Sequence, residues 1–326
     1  MGVRQLWFRQ PFKTLVNTAW YNRVYHRHLD RVIEGMVRDP IYINIETTNG
    51  CNASCIMCPH ESMQRAVGTM SMELFQQIVD EVVETQMPVK MFVVSGFGEP
   101  LLDRHIADRI RYIKSKGNYY TKFHTNAALM VEKKAQEILD SGLDELAISF
   151  NAVKKESYEQ VMRFLNYDKV LKNVLKFLEL KETQKRTAPR VMVSCIKLDA
   201  NAADIREVKK FWEGKVDQVV RPVPENWAGG IQNKSKWIYW PSLKEKMWPC
   251  RSLWDTLDIQ WNGQVALCCR DYEGKEIIQK VGETPLKEIL EKKRRIGYAQ
   301  KGGDWSVAKL CHGCDTALNN SVTWWH

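Results

Sequence analysis

Residues 41–58 read Ile41-Tyr42-Ile43-Asn44-Ile45-Glu46-Thr47-Thr48-Asn49-Gly50-Cys51-Asn52-Ala53-Ser54-Cys55-Ile56-Met57-Cys58. Isoleucine at every second position makes a strand with one apolar face, and three thiols then crowd the loop that follows it. Working outward, helix-like and strand-like segments alternate. A helix near 71–86 leads to a strand at 90–95, a helix at 103–116 to a strand at 119–125, and a helix at 131–141 to a strand at 145–150. Helical stretches at 154–164 and 167–184 precede a β-branched strand at 190–198, and a helix at 203–213 precedes a short strand at 217–222. Six strands, each separated from the next by helix, imply an α/β fold with a parallel sheet curled into a partial TIM barrel, (β/α)6. In such barrels the loops after the strands carry the active site, and the three-cysteine loop is the first of them.

The flanks read differently. Residues 6–28 place Phe8, Phe12, Leu15, Val16, Ala19, Trp20 and Val24 at helical spacing, with Arg23, Arg27 and Arg31 four apart. An amphipathic arm over 1–40 is expected, packed on the protein's own core or, in the minority reading, touching a membrane surface or a partner. Beyond Arg221, Pro222, Pro224, Gly229, Gly230 and Pro241 break the periodicity, and ten of the twelve tryptophans lie after residue 200. The expected division is an arm at 1–40, a barrel at 41–222, a linker at 223–246 and a small second domain at 247–326. No apolar run is long enough to span a bilayer and no secretory leader opens the chain, so a cytoplasmic protein is expected.

The nine cysteines are grouped rather than spread. Cys51, Cys55 and Cys58 form one set; Cys250, the doublet Cys268-Cys269, and the pair Cys311 and Cys314 form another; Cys195 stands alone on the apolar face of a strand, where packing explains it. Tight spacings without a leader point to metal before disulfides. Three loop thiols suit a four-iron cluster with one iron left open, or zinc if His60 supplies a fourth ligand. The second set suits a zinc ribbon as well as a cluster. Seven thiolates and two clusters would lower the formal charge of +9 to about +6. The remaining basic residues are scattered apart from the arm and Lys292-Lys293-Arg294-Arg295, which argues against nucleic acid as a partner.

Cys51-x3-Cys55-x2-Cys58 after the first strand, with Ser95-Gly96-Phe97-Gly98-Glu99-Pro100 closing the second, resembles the signature of the radical S-adenosylmethionine (radical SAM) superfamily. The resemblance implies a [4Fe–4S] cluster on Cys51, Cys55 and Cys58 that binds S-adenosylmethionine. The methionine amino group would be held by the segment of Gly96, Gly98, Glu99 and Pro100, with Glu99 offering an anion. Met57, where the family often has an aromatic residue, would pack on adenine. Asn126 of His124-Thr125-Asn126 and Ser149 and Asn151 of the next strand end resemble cofactor-lining positions. Arg163 is a candidate for the cofactor carboxylate, or else a surface arginine.

The stretch from Trp248 to Cys314 resembles the shortened SPASM, or twitch, region. In that region Cys250, Cys268, Cys311 and Cys314 would hold one auxiliary [4Fe–4S] cluster, Cys268 being favoured over Cys269 by its distance from Gly263. Cys269 would then be a hydrogen-atom donor or a plain neighbour of the cluster. Arg221, at the last strand's end, would be a substrate or base residue, or a surface arginine.

The implied activity is reductive cleavage of S-adenosylmethionine to a 5′-deoxyadenosyl radical that takes a substrate hydrogen, followed by dehydrogenation or epimerisation. An electron donor such as flavodoxin or ferredoxin is implied. About 40 residues precede the first strand, against the roughly 80–90 of a peptide-recognition domain, which favours a small polar, sugar- or aminocyclitol-like substrate. Trp227, Trp237 and Trp240 fit stacking on sugar faces or ordinary packing. A peptide maturase is the alternative, followed by a non-catalytic iron–sulfur or zinc protein and an RNA-modifying enzyme.

Overall fold

A computed structural model of the protein describes residues 19–38, 41–231 and 250–314. The expected barrel strands are present as β1 (Ile41–Ile45), β2 (Val89–Val93), β3 (Tyr120–Thr125), β4 (Glu145–Ser149), β5 (Arg190–Ser194) and β6 (Gln218–Val220). Each neighbour is parallel to the next. Ile41, Ile43 and Ile45 are fully buried against the helices, so Tyr42 and Asn44 turn to the opposite, inner face of the sheet. The connecting helices are α2 (Met72–Glu84), α3 (Ile106–Lys116), α4 (Glu132–Leu139), α5 (Lys155–Val161), α6 (Tyr167–Thr183) and α7 (Ile205–Trp212).

Sequence explains their placement. Ser71 caps α2 by accepting a bond from the Leu74 amide, and Phe75, Ile78, Val79 and Val82 form one buried stripe. Burial stabilises by roughly 1.5–3 kcal/mol for each such side chain. Asn166 caps α6 in the same way through the Lys169 amide.

Two features depart from the sequence reading. The described part of the N-terminal arm is a helix, α1 (Ala19–Arg38), that runs ten residues past the periodic stretch ending at 28 and stays within the arm expected over 1–40. Its stripe is prolonged by Leu29, Ile33 and Met36, which are buried with Leu253, Trp254 and Leu267 of the C-terminal segment. That part of the arm therefore covers the protein's own apolar surface. Residues 1–18, and with them Phe8, Phe12, Leu15 and Val16, lie outside the described residues, as do Trp237 and Trp240.

The second departure concerns the C-terminal segment. Its first strand, β7 (Thr256–Ile259), pairs parallel with β1 in the register Tyr42↔Thr256 to Ile45↔Ile259. β8 (Gln264–Ala266) and β9 (Ile277–Lys280) follow antiparallel. The result is one nine-stranded sheet, β9-β8-β7-β1-β2-β3-β4-β5-β6, that runs across the expected domain boundary. α8 (Leu286–Lys301) packs on β9 and on the short helix Ser252–Asp255. No described helix is long and apolar enough to cross a membrane.

Candidate functional site

The loop after β1 is anchored by main chain and side chains together. Ser54–Cys55 forms a two-residue antiparallel ribbon with Met162–Arg163. Arg163 donates from Nε to the Ser54 carbonyl at 2.8 Å and from Nη2 to Ser54 Oγ at 3.0 Å, and it pairs with Glu61. The expected surface or cofactor-side arginine thus stitches the cysteine loop to the end of α5. It also lines a cavity of about 310 Å³ together with Cys55, Cys58 and Glu61. Burial pushes the Cys55 thiol up to about 12, with further rises from Cys58 and Cys51, while Arg163 opposes them. Burial likewise lifts Cys58 to about 11, with Cys51 adding to it. Three half-buried thiols that resist ionisation together suit a cationic centre, which supplies the missing positive charge. The hydroxyl of Tyr158, fully buried and without a hydrogen-bond partner, lies within electrostatic reach of Cys55. His60, the alternative zinc ligand, directs Nε2 to the Asn49 carbonyl at 2.7 Å. Among the described residues no three His, Cys, Asp or Glu side chains gather closely enough for a single metal ion.

The Ser95–Pro100 turn packs directly under this loop. A Cβ on Gly98 would lie 2.3 Å from the Thr48 carbonyl oxygen and 2.5 Å from that of Gly50, and one on Gly96 would lie 2.5 Å from the Glu46 side chain. Glycine is therefore required by close approach of main chain to main chain. Pro100 opens a turn of 3-10 helix. Glu99, expected to offer an anion to the cofactor's amino group, is 2% exposed. Its carboxylate accepts from Thr125 Oγ1 (2.5 Å), the Asn126 amide (2.7 Å) and the Leu101 amide (3.1 Å), and burial raises its pKa. The geometry makes it the tie between the β2 and β3 loops. Asn126 donates to Asn52 of the cysteine loop at 2.8 Å, completing that link.

Asn151 is buried at 1%, donating to Met162 Sδ and accepting from the Ile196 amide, so its amide joins strands and does not face open space. Ser149 ends β4 half-buried. Cys195 is fully buried and donates to the Asn151 carbonyl, as its apolar strand face suggests. Arg221 is exposed, reaching the Ile205 carbonyl, and does not line the cavity that holds Phe97, Trp227 and Cys268. The substrate or base role expected for it has no geometric support.

A second cavity, of about 420 Å³, lies between the inner face of β1–β3 and the turn after β8. Ser95, Gly96, Phe97 and His124 form one wall, and Cys268, Cys269 and Arg270 form the other. Trp227 joins the two. Its indole N–H donates to the Met57 carbonyl of the first cysteine loop at 2.8 Å, and its ring meets Phe97 edge-on at 5.3 Å. The neighbouring Asn226 donates to the Gly313 carbonyl, between Cys311 and Cys314, at 2.6 Å. Trp227 and Ala228 hold left-handed φ values of 51° and 55°, a strained connector kept by these contacts.

The second group of thiols meets electrostatically around Cys250. Burial raises Cys268, with Cys269 and Cys250 next among the causes, and burial raises Cys311 to about 12, with Cys250 and Cys314 adding to it. Cys269 lies within electrostatic reach of Cys250 as well; its sulfur accepts from Arg270 Nη1 at 3.0 Å, and Arg270 makes a two-pronged pair with Glu225 at 2.9 and 2.7 Å.

Several lining residues went unnoticed in the sequence. Glu46 is locked in a two-pronged pair with Arg65, both bonds 2.6 Å, and Asp258 accepts from Asn44 at 2.6 Å and from Lys293 at 3.2 Å. The signal was present, since Asn44 and Glu46 are the polar positions alternating with the isoleucines of β1.

Comparison with known proteins agrees with this geometry. Residues 45–188 match the model of the radical SAM superfamily, and residues 250–315 match that of an iron-sulfur cluster-binding domain, SPASM. Residues 45–188 are thus a radical SAM domain and residues 250–315 a SPASM domain. The first implies S-adenosylmethionine and a [4Fe–4S] cluster and the second auxiliary iron–sulfur binding, in place of the zinc alternatives.

Among curated proteins, the chain is 22% identical over 170 residues to a tungsten-containing aldehyde ferredoxin oxidoreductase cofactor-modifying protein of Pyrococcus furiosus, covering 52% of this chain and 47% of that one. It is 24% identical over 184 residues to a probable GTP 3′,8-cyclase of Methanocaldococcus jannaschii, covering 56% and 59%. The chain thus spans about half the length of these relatives. Among solved structures, BtrN in complex with AdoMet and 2-DOIA superposes with a TM-score of 0.57 at 16% identity, covering 84% of this chain and 92% of that one. SuiB of Streptococcus suis bound to its precursor peptide SuiA gives 0.66 at 14%, covering 94% and 77%. These likenesses concern the fold.

Proposed function

We propose that this protein is a radical SAM oxidoreductase acting on a small, polar, hydroxyl-bearing substrate, sugar- or aminocyclitol-like, held in the cavity lined by Phe97, Trp227 and Cys268. When bound, the reduced cluster and S-adenosylmethionine supply a 5′-deoxyadenosyl radical that removes a substrate hydrogen atom, and the auxiliary cluster supplies one-electron chemistry. Cys51, Cys55 and Cys58 hold the first cluster, while Cys250, Cys268, Cys311 and Cys314 hold the second. The Gly96–Pro100 turn, Met57, Asn126 and Ser149 lie round the cofactor. Arg163 keeps the cysteine loop in place.

The observation that carries the substrate class is the state of charge in the cavity wall. Glu46 is matched by Arg65, Glu225 by Arg270 and Asp258 by Lys293. Among the described lining residues no unpaired cation is left for a phosphate or carboxylate, which disfavours a nucleoside triphosphate such as the one named for the relatives. Phe97 and Trp227 give the wall an apolar face on which a sugar-like ring can lie.

His124 lines the same space. Desolvation and the charge of Lys122 hold its pKa down to about 4, so a neutral imidazole is available to take a hydroxyl proton. The volume of about 420 Å³ suits a small molecule better than a folded peptide segment. The test is anaerobic incubation of the reconstituted protein with deuterated polyols and aminocyclitols. Deuterium in 5′-deoxyadenosine supports the reading, whereas transfer only from a peptide would assign a maturase.

A further inference from the structure

We infer that Gln300 is a hydrogen-bond donor to the sulfur ligands of the C-terminal iron–sulfur site and thereby sets that site's reduction potential. The inference rests on the proposed assignment of Cys250, Cys268, Cys311 and Cys314 as ligands. Gln300 lies in the last turn of α8 and is 2% exposed, yet neither Nε2 nor Oε1 has a hydrogen-bond partner. Buried amides are satisfied in nearly every protein, and one left alone is costly, so an unpartnered pair of amide atoms in a core marks a missing acceptor. The thiol nearest to its amide is that of Cys311. Trp254 repeats the pattern. It is fully buried in the same apolar cluster as Cys311, with Cys250 packed against it, and its indole N–H is also unpartnered.

An apolar pocket that gathers thiols and two orphaned N–H groups has donors without acceptors until sulfur carries negative charge. An N–H group directed at a cluster sulfur withdraws electron density and stabilises the more negative, reduced state, which raises the potential. Gln300 is thus a positioning residue for electron transfer and touches no substrate.

The test uses the full chain, reconstituted anaerobically with Cys51, Cys55 and Cys58 replaced by alanine so that only the C-terminal cluster remains. Gln300→Met, near-isosteric but without an N–H, is expected to keep its iron and sulfide content and to show a lower midpoint potential in an EPR-monitored titration, while Gln300→His, which retains a donor, stays near the parent. An unchanged potential in Gln300→Met with the cluster intact would overturn the inference alone. If Gln300→Met loses its iron, pulsed EPR of the parent made with amide-15N glutamine decides: a 15N coupling to the reduced cluster supports the inference and its absence overturns it. Failure of the parent to assemble any cluster on the C-terminal thiols would overturn the assignment of the ligands and this inference with it.

Discussion

At the scale of single residues, the site depends on close approach and on which charges are already spent. Gly98 is the sharpest case, because any Cβ there collides with the carbonyls of Thr48 and Gly50 that lead into the cysteine loop. Gly98→Ala is expected to destabilise the fold by roughly 1–3 kcal/mol in denaturant titrations and to lower the iron retained by the first site. His124 gives a prediction in pH. Its folded pKa, about 4, lies below the ordinary value of about 6.5, so the stability it contributes is fully present above about 6.5 and is lost as pH falls through about 4. An NMR titration of the imidazole should show its midpoint near 4; a midpoint near the ordinary value would remove the neutral base from the cavity.

At the scale of elements, the strands and helices of the barrel were legible because each carries its own periodicity, as Ile41, Ile43 and Ile45 do in β1 and Phe75, Ile78, Val79 and Val82 do in α2. The cysteine spacing was legible for the same local reason. What escaped is nonlocal. Thr256–Ile259 is too short to announce a partner, and its pairing with β1 spans more than two hundred residues. Glu99 could be read as an anion for the cofactor's amino group since nothing in the turn's sequence says that Thr125 and Asn126, in the next loop, supply its donors. The connector after β6 read as a break in pattern, yet Asn226 and Trp227 bind one loop from each thiol group. Trp227→Phe keeps the ring against Phe97 and removes the bond to Met57, a loss of about 0.5–1.5 kcal/mol. If that bond orders the cysteine loop, affinity for S-adenosylmethionine should fall about 2- to 10-fold in equilibrium dialysis. An unchanged affinity would reduce Trp227 to packing.

At the scale of the whole molecule, the shared sheet puts both cysteine-bearing segments on one scaffold. β7 pairs with Tyr42–Ile45 of β1 and β8 pairs antiparallel with β7, so the strand that leads to Cys51 and the strand that leads to Cys268 lie in one sheet with β7 between them, and residues of all three line the cavity. Arg294 adds a further tie by donating to the Trp254 and Val37 carbonyls, joining α8 to the C-terminal segment and to α1. The account depends on a chain that binds about eight irons in two clusters and uses the first to cleave its cofactor. The most direct measurement is the yield of 5′-deoxyadenosine from the anaerobically reconstituted protein given dithionite and S-adenosylmethionine, in the parent and in a variant with Cys51, Cys55 and Cys58 changed to alanine. The account predicts 5′-deoxyadenosine from the parent and none from the variant, which should still hold about half of the iron. A parent that binds iron on all seven thiols yet releases no 5′-deoxyadenosine, or a variant that releases as much as the parent, would contradict it.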